Sequence, residues 1–513
     1  MSVAPTYAEA MDTTGRRAAE HDADATPRRR WILTGQLGPA FDDGGPILLI
    51  ESTSTFAKRP MHRAKAHLFL SAIRHRAAEL GDRAEFHQVD RYEEVVEVGA
   101  DLEVIDPPSW TARRFVRERG LRVLPSRGFV TSEPDFAAWA STRDGKRLLL
   151  EDFYRTVRER TGILMRGDQP EGGRWNYDHD NRNPPPKGAA RLGLPEPLWP
   201  DEDDIDAQVR EDLDRWQRDG LVQLVGDDGP RRFAATAAEA EAALADFIET
   251  RLGDFGPFED AMLGGDWTMA HSLLSAPLNL GLLDPRDAVE TVVAEYHAGR
   301  APLSSVEGFT RQIIGWRDYV WHLYWHLGEP YRTSHNALGA HEPLPRQFRE
   351  LDAAAIRSNC LRETIDGMRR HGWAHHIQRL MVLGNWAMQH GYDPVALNDW
   401  FIDMFVDGTP WVMPANVIGM SQHADGGIVA TKPYASGGAY IDKMSDYCGG
   451  CVFDPKVRLG EDACPFTAGY WAFLDRVEPR IRHNTRMAQP LAGMRRLSDL
   501  RAVVDQERTR EQW

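Results

Sequence analysis

Cys360, Cys448, Cys451 and Cys464 are the only thiols in a chain of 513 residues. Three of them form a C-x2-C-x12-C pattern, and the fourth lies far upstream. A two-residue spacer lets two thiolates reach one metal centre, and a short loop returns the third. Pro465, directly after the last cysteine, is typical of iron–sulfur loops. Four thiolates suit zinc and a [4Fe–4S] cluster alike, so the spacing leaves both open. The N-terminus has no apolar signal-like core, which argues against an exported, disulfide-framed protein and for a cytoplasmic one.

Other groups point to a large ligand. Ser272 and Ser275 lie three apart where a helix is expected to begin, and free N–H groups beside hydroxyls suit a phosphate or pyrophosphate. Ordinary helix capping explains the same residues. The run Glu307–Tyr319 (EGFTRQIIGWRDY) places Glu307, Arg311, Gly315 and Arg317 beside Trp316 and Tyr319. In Gly372–Asn385 (GWAHHIQRLMVLGN), His375 and His376 stand four and three residues before Arg379, close enough to share a helical face. Such groups in an apolar helix need a ligand, a carboxylate or a core network. Asn398-Asp399-Trp400 follows. Trp411–Tyr440 is rich in Gly, Ser, Asn and Pro, which allows close backbone approach to a ligand.

These residues require a scaffold. The length implies two or three domains. Hydrophobic residues at 42% and charged residues at 27% are ordinary for a globular chain, and no apolar run is long enough to span a membrane. Residues 1–30 read as disordered. Apolar runs at Trp31–Thr34, Pro46–Ile50, Glu85–Val89, Glu103–Ile105 and Leu121–Leu124 alternate with helical stretches such as Met61–Leu80, which predicts a Rossmann-like α/β domain with a parallel sheet over 31–140. A connector follows over 141–233. It contains the Pro-bounded loop Gly172–Pro186 and an acidic stretch, Asp201–Asp228, read as a solvated helical face. Residues 234–513 read as a large all-helical domain.

Taken together, EGFTRQIIGWRDY, AHHIQRLM, NVIGMSQ, ADGG, TKPYAS, MSDYC and the four cysteines resemble the cryptochrome/photolyase superfamily, specifically its bacterial iron–sulfur (6-4) photolyase-like branch. The resemblance covers nearly all of Trp31 to about Leu500. It implies an α/β antenna domain and an all-α domain that binds a U-shaped FAD and a [4Fe–4S] cluster. Ser272 and Ser275 would then hold the FAD phosphates, and Trp316 and Arg317 would line the flavin pocket. Arg379 and Asp425 would be the Arg–Asp pair beside the isoalloxazine, with Asn385 in the same pocket-lining helix. The cysteines would be cluster ligands, and Trp400 the flavin-proximal member of an electron-transfer chain. His375 and His376 would be active-site histidines, with His376 facing the lesion. Asp178, Arg182 and Tyr434 would form the lesion pocket.

The resemblance implies a light-driven DNA repair enzyme acting as a monomer on UV-damaged DNA and associated with the nucleoid when bound. Repair of a (6-4) lesion needs one electron and a proton, which a histidine can deliver. Two rivals are a cryptochrome-like photoreceptor without repair activity and a primase-like iron–sulfur protein without flavin. Departures from the family pattern are specific. A ribityllumazine antenna is expected beside a Gly-Asp-Gln-Leu string, but here Thr34-Gly35-Gln36-Leu37 lacks the Asp, while Glu51 keeps a second acidic position. Phe401 follows Trp400 where a relative carries Tyr, and a Trp expected before Cys360 is absent, so the outer electron route is altered. Trp411, Trp386 and Trp373 are substitutes by composition alone. The net charge of −16 is squared with DNA binding by arginines between Arg476 and Arg510 and around Cys360, which could meet phosphates or pair with nearby acids.

Overall fold

The computed structural model describes residues 28–143 and 146–513. Nearly all of the disordered extension expected over 1–30 lies outside the described residues.

The strands are β1 (Arg30–Trp31), β2 (Ile47–Ser52), β3 (Met61–His62), β4 (Ala84–Val89), β5 (Glu103–Ile105) and β6 (Arg122–Leu124). Five of them form one parallel sheet in the order β4-β2-β1-β5-β6. Every residue of β2 is buried, as expected for a strand covered on both faces. Its side chains alternate between two cores. Ile47 and Leu49 join the large core that continues into the helical half, whereas Leu48 and Ile50 join a smaller one with Val96, Val116 and Leu121. The short strand β3 instead pairs with Leu224–Val225.

The segment after the sheet is more than a tether. Helix Leu150–Thr161 packs on Arg311–Arg317 of the helical half, and helix Asp204–Arg218 packs on helix Arg63–Leu80. Most acids of the stretch read as a solvated face are exposed, but this packing turns two of them inward. Asp204 is exposed, but Asp206 and Asp212 are buried. Asp206 takes both Nε (3.0 Å) and Nη2 (3.1 Å) of Arg231, which also grips Glu239. Asp212 accepts from Arg74 at 2.6 Å. These acids are placed inward by helical periodicity, which composition does not reveal.

Two basic side chains tie the halves together. Lys65 Nζ, on helix Arg63–Leu80, donates to the carbonyls of Ile402 and Gly408. Arg59 pairs with Asp399 and Asp403. Among the described residues, no helix is long and apolar enough to cross a membrane.

Removal of one member of a buried ion pair leaves its partner uncompensated, typically at a cost of about 3–5 kcal/mol. Arg231→Ala is therefore expected to lower the unfolding free energy by about that amount in chemical denaturation, whereas removal of the exposed Asp204 carboxylate shifts it by less than about 0.5 kcal/mol.

Candidate active site and cysteine cluster

A cavity of about 310 Å³ opens in the helical half. Three π-helical segments contribute to its wall: Arg311–Arg317, Gln378–Gly384 and Ala415–Ser421. π-Turns are rare and concentrate at functional sites. Each of these contains one glycine, and two of the glycines show how closely the segments pack. A Cβ on Gly384 would meet Ser421 Oγ at 2.1 Å, and one on Gly419 would meet Val429 at 2.6 Å. A fourth wall comes from Ser272–Asn279, where Leu273 (and Met269 just before it) adopts a positive φ. Non-glycine residues rarely occupy that region, and strain of this kind gathers at ligand sites.

The cavity brings together most of the expected ligand residues. Ser272, Ser275, Trp316, Arg317, His375, His376 and Arg379 all line it. Arg317 donates to the carbonyls of Gly128 (2.7 Å) and Leu278 (3.1 Å), while its Nε has no partner. Burial lowers its pKa to about 10. His375 stacks on His271 at 4.4 Å, and neither of its ring nitrogens is bonded. Burial drives the pKa of His375 well down and holds His271 at about 4, so both rings are neutral near pH 7, whereas His376 beside them is exposed. Glu259 behaves oppositely. Burial, opposed by Arg311 and reinforced by neighbouring acids, lifts its carboxyl to about 8.

The Arg–Asp pair differs from expectation. Arg379 grips Asp407, not Asp425, through Nη1–Oδ1 (2.9 Å) and Nη2–Oδ2 (3.0 Å). Asp425 is engaged elsewhere: its carboxylate accepts from Tyr331 Oη and from the N–H groups of Gly427 and Val429, each at 2.9 Å. Asn385 also lies off the cavity wall, clamping the main chain of Ser436 (2.9 and 3.2 Å). The sequence signal missed was an aspartate in the apolar run Met404–Gly408. Trp400 is one ring back: its indole donates to Phe348 O (2.8 Å) and packs on Phe401, which itself lines the cavity.

Asp178, Arg182 and Tyr434 converge at the rim. Arg182 bonds Asp178, and both influence Tyr434, which is 39% exposed. Asp178 also pairs with Arg311 at 3.3 Å, and the adjacent Gln312 donates to Glu259 at 2.6 Å. Gln312 and Glu259 both line the cavity, so rim and interior are joined by a polar chain.

All four cysteines border one small void. Burial raises the Cys360 thiol well above its ordinary range and Cys448 to about 12, with the neighbouring sulfurs adding to the shift. Such a donor set needs a cation to hold it as thiolates. A tetrahedral zinc site with bonds of about 2.3 Å brings its sulfurs to about 3.8 Å of one another. Among the described residues, no three of these sulfurs converge within 4.8 Å; His75, Asp203 and Asp206 do so.

The antenna residues do not fit a ligand. Glu51 is fully engaged by Arg74 (two bonds of 2.8 Å) and by Gln88, and Gln36 bonds the carbonyls of Ile105 and Asp106. Of the C-terminal arginines, Arg476 binds two carbonyls and Arg510 pairs with Glu507, both through partly buried bonds, whereas Arg480, Arg482, Arg486, Arg495, Arg496, Arg501 and Arg508 are exposed, three of them beside surface acids. Around Cys360, Arg369 and Arg370 both pair with Asp366.

A relative from Agrobacterium fabrum named "(6-4) photolyase" is 40% identical over 498 residues, covering 91% of this chain and 95% of that protein. The chain belongs to the photolyase family. A family model described as "Deoxyribodipyrimidine photo-lyase-related protein" matches residues 30–221. The fold is shared with a bacterial class III photolyase from Agrobacterium tumefaciens (TM-score 0.55, 16% identity, 95% of this chain and 100% of that one). It is also shared with a cryptochrome from Synechocystis (TM-score 0.54, 13% identity, 94% and 98%). Membership in the photolyase family implies FAD. The cavity suits such a ligand, with unpartnered atoms on Arg317, His271 and His375 aimed at groups the protein does not supply.

Two outcomes follow. Gly384→Ala is expected to force the π-segments apart, releasing flavin and lowering the melting temperature, as read by flavin absorbance and calorimetry. The unfolded chain takes up histidine protons below about pH 6.5, while the enclosed His62 and His271 rings stay neutral until about pH 4, so stability falls as pH drops through that interval. A melting temperature constant between pH 7 and 5 would contradict it.

Proposed function

We propose that the protein is a light-driven DNA repair enzyme for (6-4) pyrimidine photoproducts, with FAD in the cavity and a [4Fe–4S] cluster on Cys360, Cys448, Cys451 and Cys464. The observation that carries this reading is the polar chain Asp178–Arg311–Gln312–Glu259, which joins the exposed rim to the cavity. The 40% identity to a protein named (6-4) photolyase supports the choice of lesion.

Ser272, Ser275, Arg317 and the Arg379–Asp407 pair would hold the flavin. A reduced flavin there would supply, when excited by blue light, one electron to the lesion. The protein's own groups do the rest. A damaged base pair is weakly held and leaves the stack at a cost of a few kcal/mol. Tyr434 offers a face for the extruded base, and the Arg182 guanidinium can stack on it or meet a phosphate. Arg486 and Arg496, both exposed, are placed to contact the DNA backbone and make affinity salt-dependent.

His376 opens onto the cavity and delivers the proton. Its ring is exposed, with Arg379 the neighbouring cation that opposes its protonation and DNA phosphates favouring it. Glu259 supports a second reading, because its carboxyl keeps its proton to about pH 8.

The deciding experiment illuminates reduced protein with an oligonucleotide carrying one (6-4) lesion. Restoration of the original pyrimidines is expected. Flavin photochemistry without turnover would instead indicate a photoreceptor. If His376 is the donor, repair slows by up to about tenfold per pH unit above neutrality and His376→Asn abolishes it; a plateau to about pH 8 that Glu259→Gln removes would assign the step to Glu259. Cys448→Ala is expected to lose bound iron and to lower the melting temperature.

A further inference from the structure

Gln378 is buried off the cavity wall, and its amide is bonded at both ends. Oε1 accepts from His375 N at 3.2 Å, and Nε2 donates to Tyr447 Oη at 2.9 Å. The first bond is half of a capping box. His375 precedes the helical turn that begins at His376, and Gln378, three residues on, reaches back to its N–H. The reciprocal half is missing, because neither ring nitrogen of His375 is bonded. Trp373, Ala374 and His375 have no regular structure of their own, so this cap decides where the turn starts.

Tyr447 ties that amide to the cysteines. It lines the void that all four sulfurs border, and it directly precedes Cys448. Its carbonyl accepts from Nδ2 of Asn359, the residue before Cys360, at 3.2 Å. Two limbs of the cysteine set thus meet on one buried tyrosine. Helix Asn359–His371 carries Cys360 in its first turn and leads into the histidine segment at its end, and it packs on both the cysteine loop and the π-segment that Gln378 opens. The polarity of the link is forced. A main-chain N–H can only donate, so Oε1 must face His375, which leaves Nε2 as a donor and makes Tyr447 Oη its acceptor. Without that oxygen the amide either keeps a buried donor unpaired or turns and sets N–H against N–H.

We propose that Gln378 is a positioning residue for the cavity histidines, held in register by the cysteine loop through Tyr447. The inference rests on the reading of a repair site in that cavity. Gln378 fixes His375 N, and with it the start of the turn that presents His376 and Arg379 to the cavity. Order among the four sulfurs thereby becomes order at the cavity wall. What the link carries is position.

The test compares Tyr447→Phe, Gln378→Leu, the double variant and Gln378→Glu in flavin-loaded protein of measured iron content. A small misplacement of a reacting group costs up to about 10²-fold, so Tyr447→Phe and Gln378→Leu are each expected to slow repair of a (6-4) oligonucleotide by about tenfold, with flavin content and DNA affinity unchanged. Because both cut one link, the double variant is expected to be no slower than the slower single; multiplication to about a hundredfold overturns the proposal. Gln378→Glu keeps an oxygen toward His375 N and can take the phenolic proton of Tyr447, so it is expected to stay within about threefold of the parent. If Tyr447→Phe loses iron, Gln378→Leu decides, and parental repair in it overturns the proposal. A readout free of catalysis accompanies these. In dark protein with isotope-labelled histidine, the imidazole resonance of His375, identified by its loss in His375→Asn, is expected to move in Gln378→Leu and Tyr447→Phe; an unmoved resonance overturns the link even if repair slows. A parent that never repairs, while that resonance moves, overturns the repair reading and leaves the positioning role standing.

Discussion

The bidentate pair between Arg379 and Asp407 is the constraint around which the cavity is arranged. A guanidinium and a carboxylate this deep persist only when every remaining donor and acceptor is satisfied. Here they are met by chain from several directions. Arg379 Nε donates to Ala374 O at 2.6 Å, its planar face rests 4.1 Å from the Phe405 ring, and Asp407 O accepts from Asn279 at 3.0 Å. Val406 N bonds Gly372 O at 2.9 Å. One ion pair thus fixes the serine-bearing segment, the histidine-bearing segment and the loop after Trp400 against one another.

What the sequence disclosed follows from which physical signals are periodic. Five parallel strands were legible because apolar runs separated by amphipathic helix leave few other arrangements; four lie within two residues of their runs, and the first, Arg30–Trp31, meets its run only at Trp31. The cysteine set and the serine, histidine and arginine positions of the cavity were legible as residue types. Their partners were not. Asp425 resembled the mate of Arg379 in sequence context, but its carboxylate closes its own turn, whereas Asp407 sits in an apolar run that carries no motif. The π-turns were invisible because one surplus residue in a helix changes no composition; only Gly315, Gly384 and Gly419 hint at close approach. Glu259 escaped notice because its importance comes from its surroundings.

Charge tells a similar story. An acidic chain that handles DNA suggests segregated patches, yet many of the acids are inside, holding arginines that structure the fold, as in Asp206–Arg231 and Asp212–Arg74. Among the C-terminal arginines, Arg476 and Arg510 are used in this internal way. Several of those arginines nevertheless remain at the surface, Arg486, Arg496 and Arg501 among them, so the cationic face toward solvent is local and does not follow from the net charge.

Lys65 gives the architecture a further meaning. Its ammonium belongs to the first helix of the sheet-bearing half, yet both carbonyls it holds flank Asp407 in the helical half. Cut apart, the helical portion would lose the clamp on the very loop that positions the Arg379–Asp407 pair. The two portions thus form one mechanical unit: the sheet-bearing half serves the cavity as a brace even though none of its residues lines it.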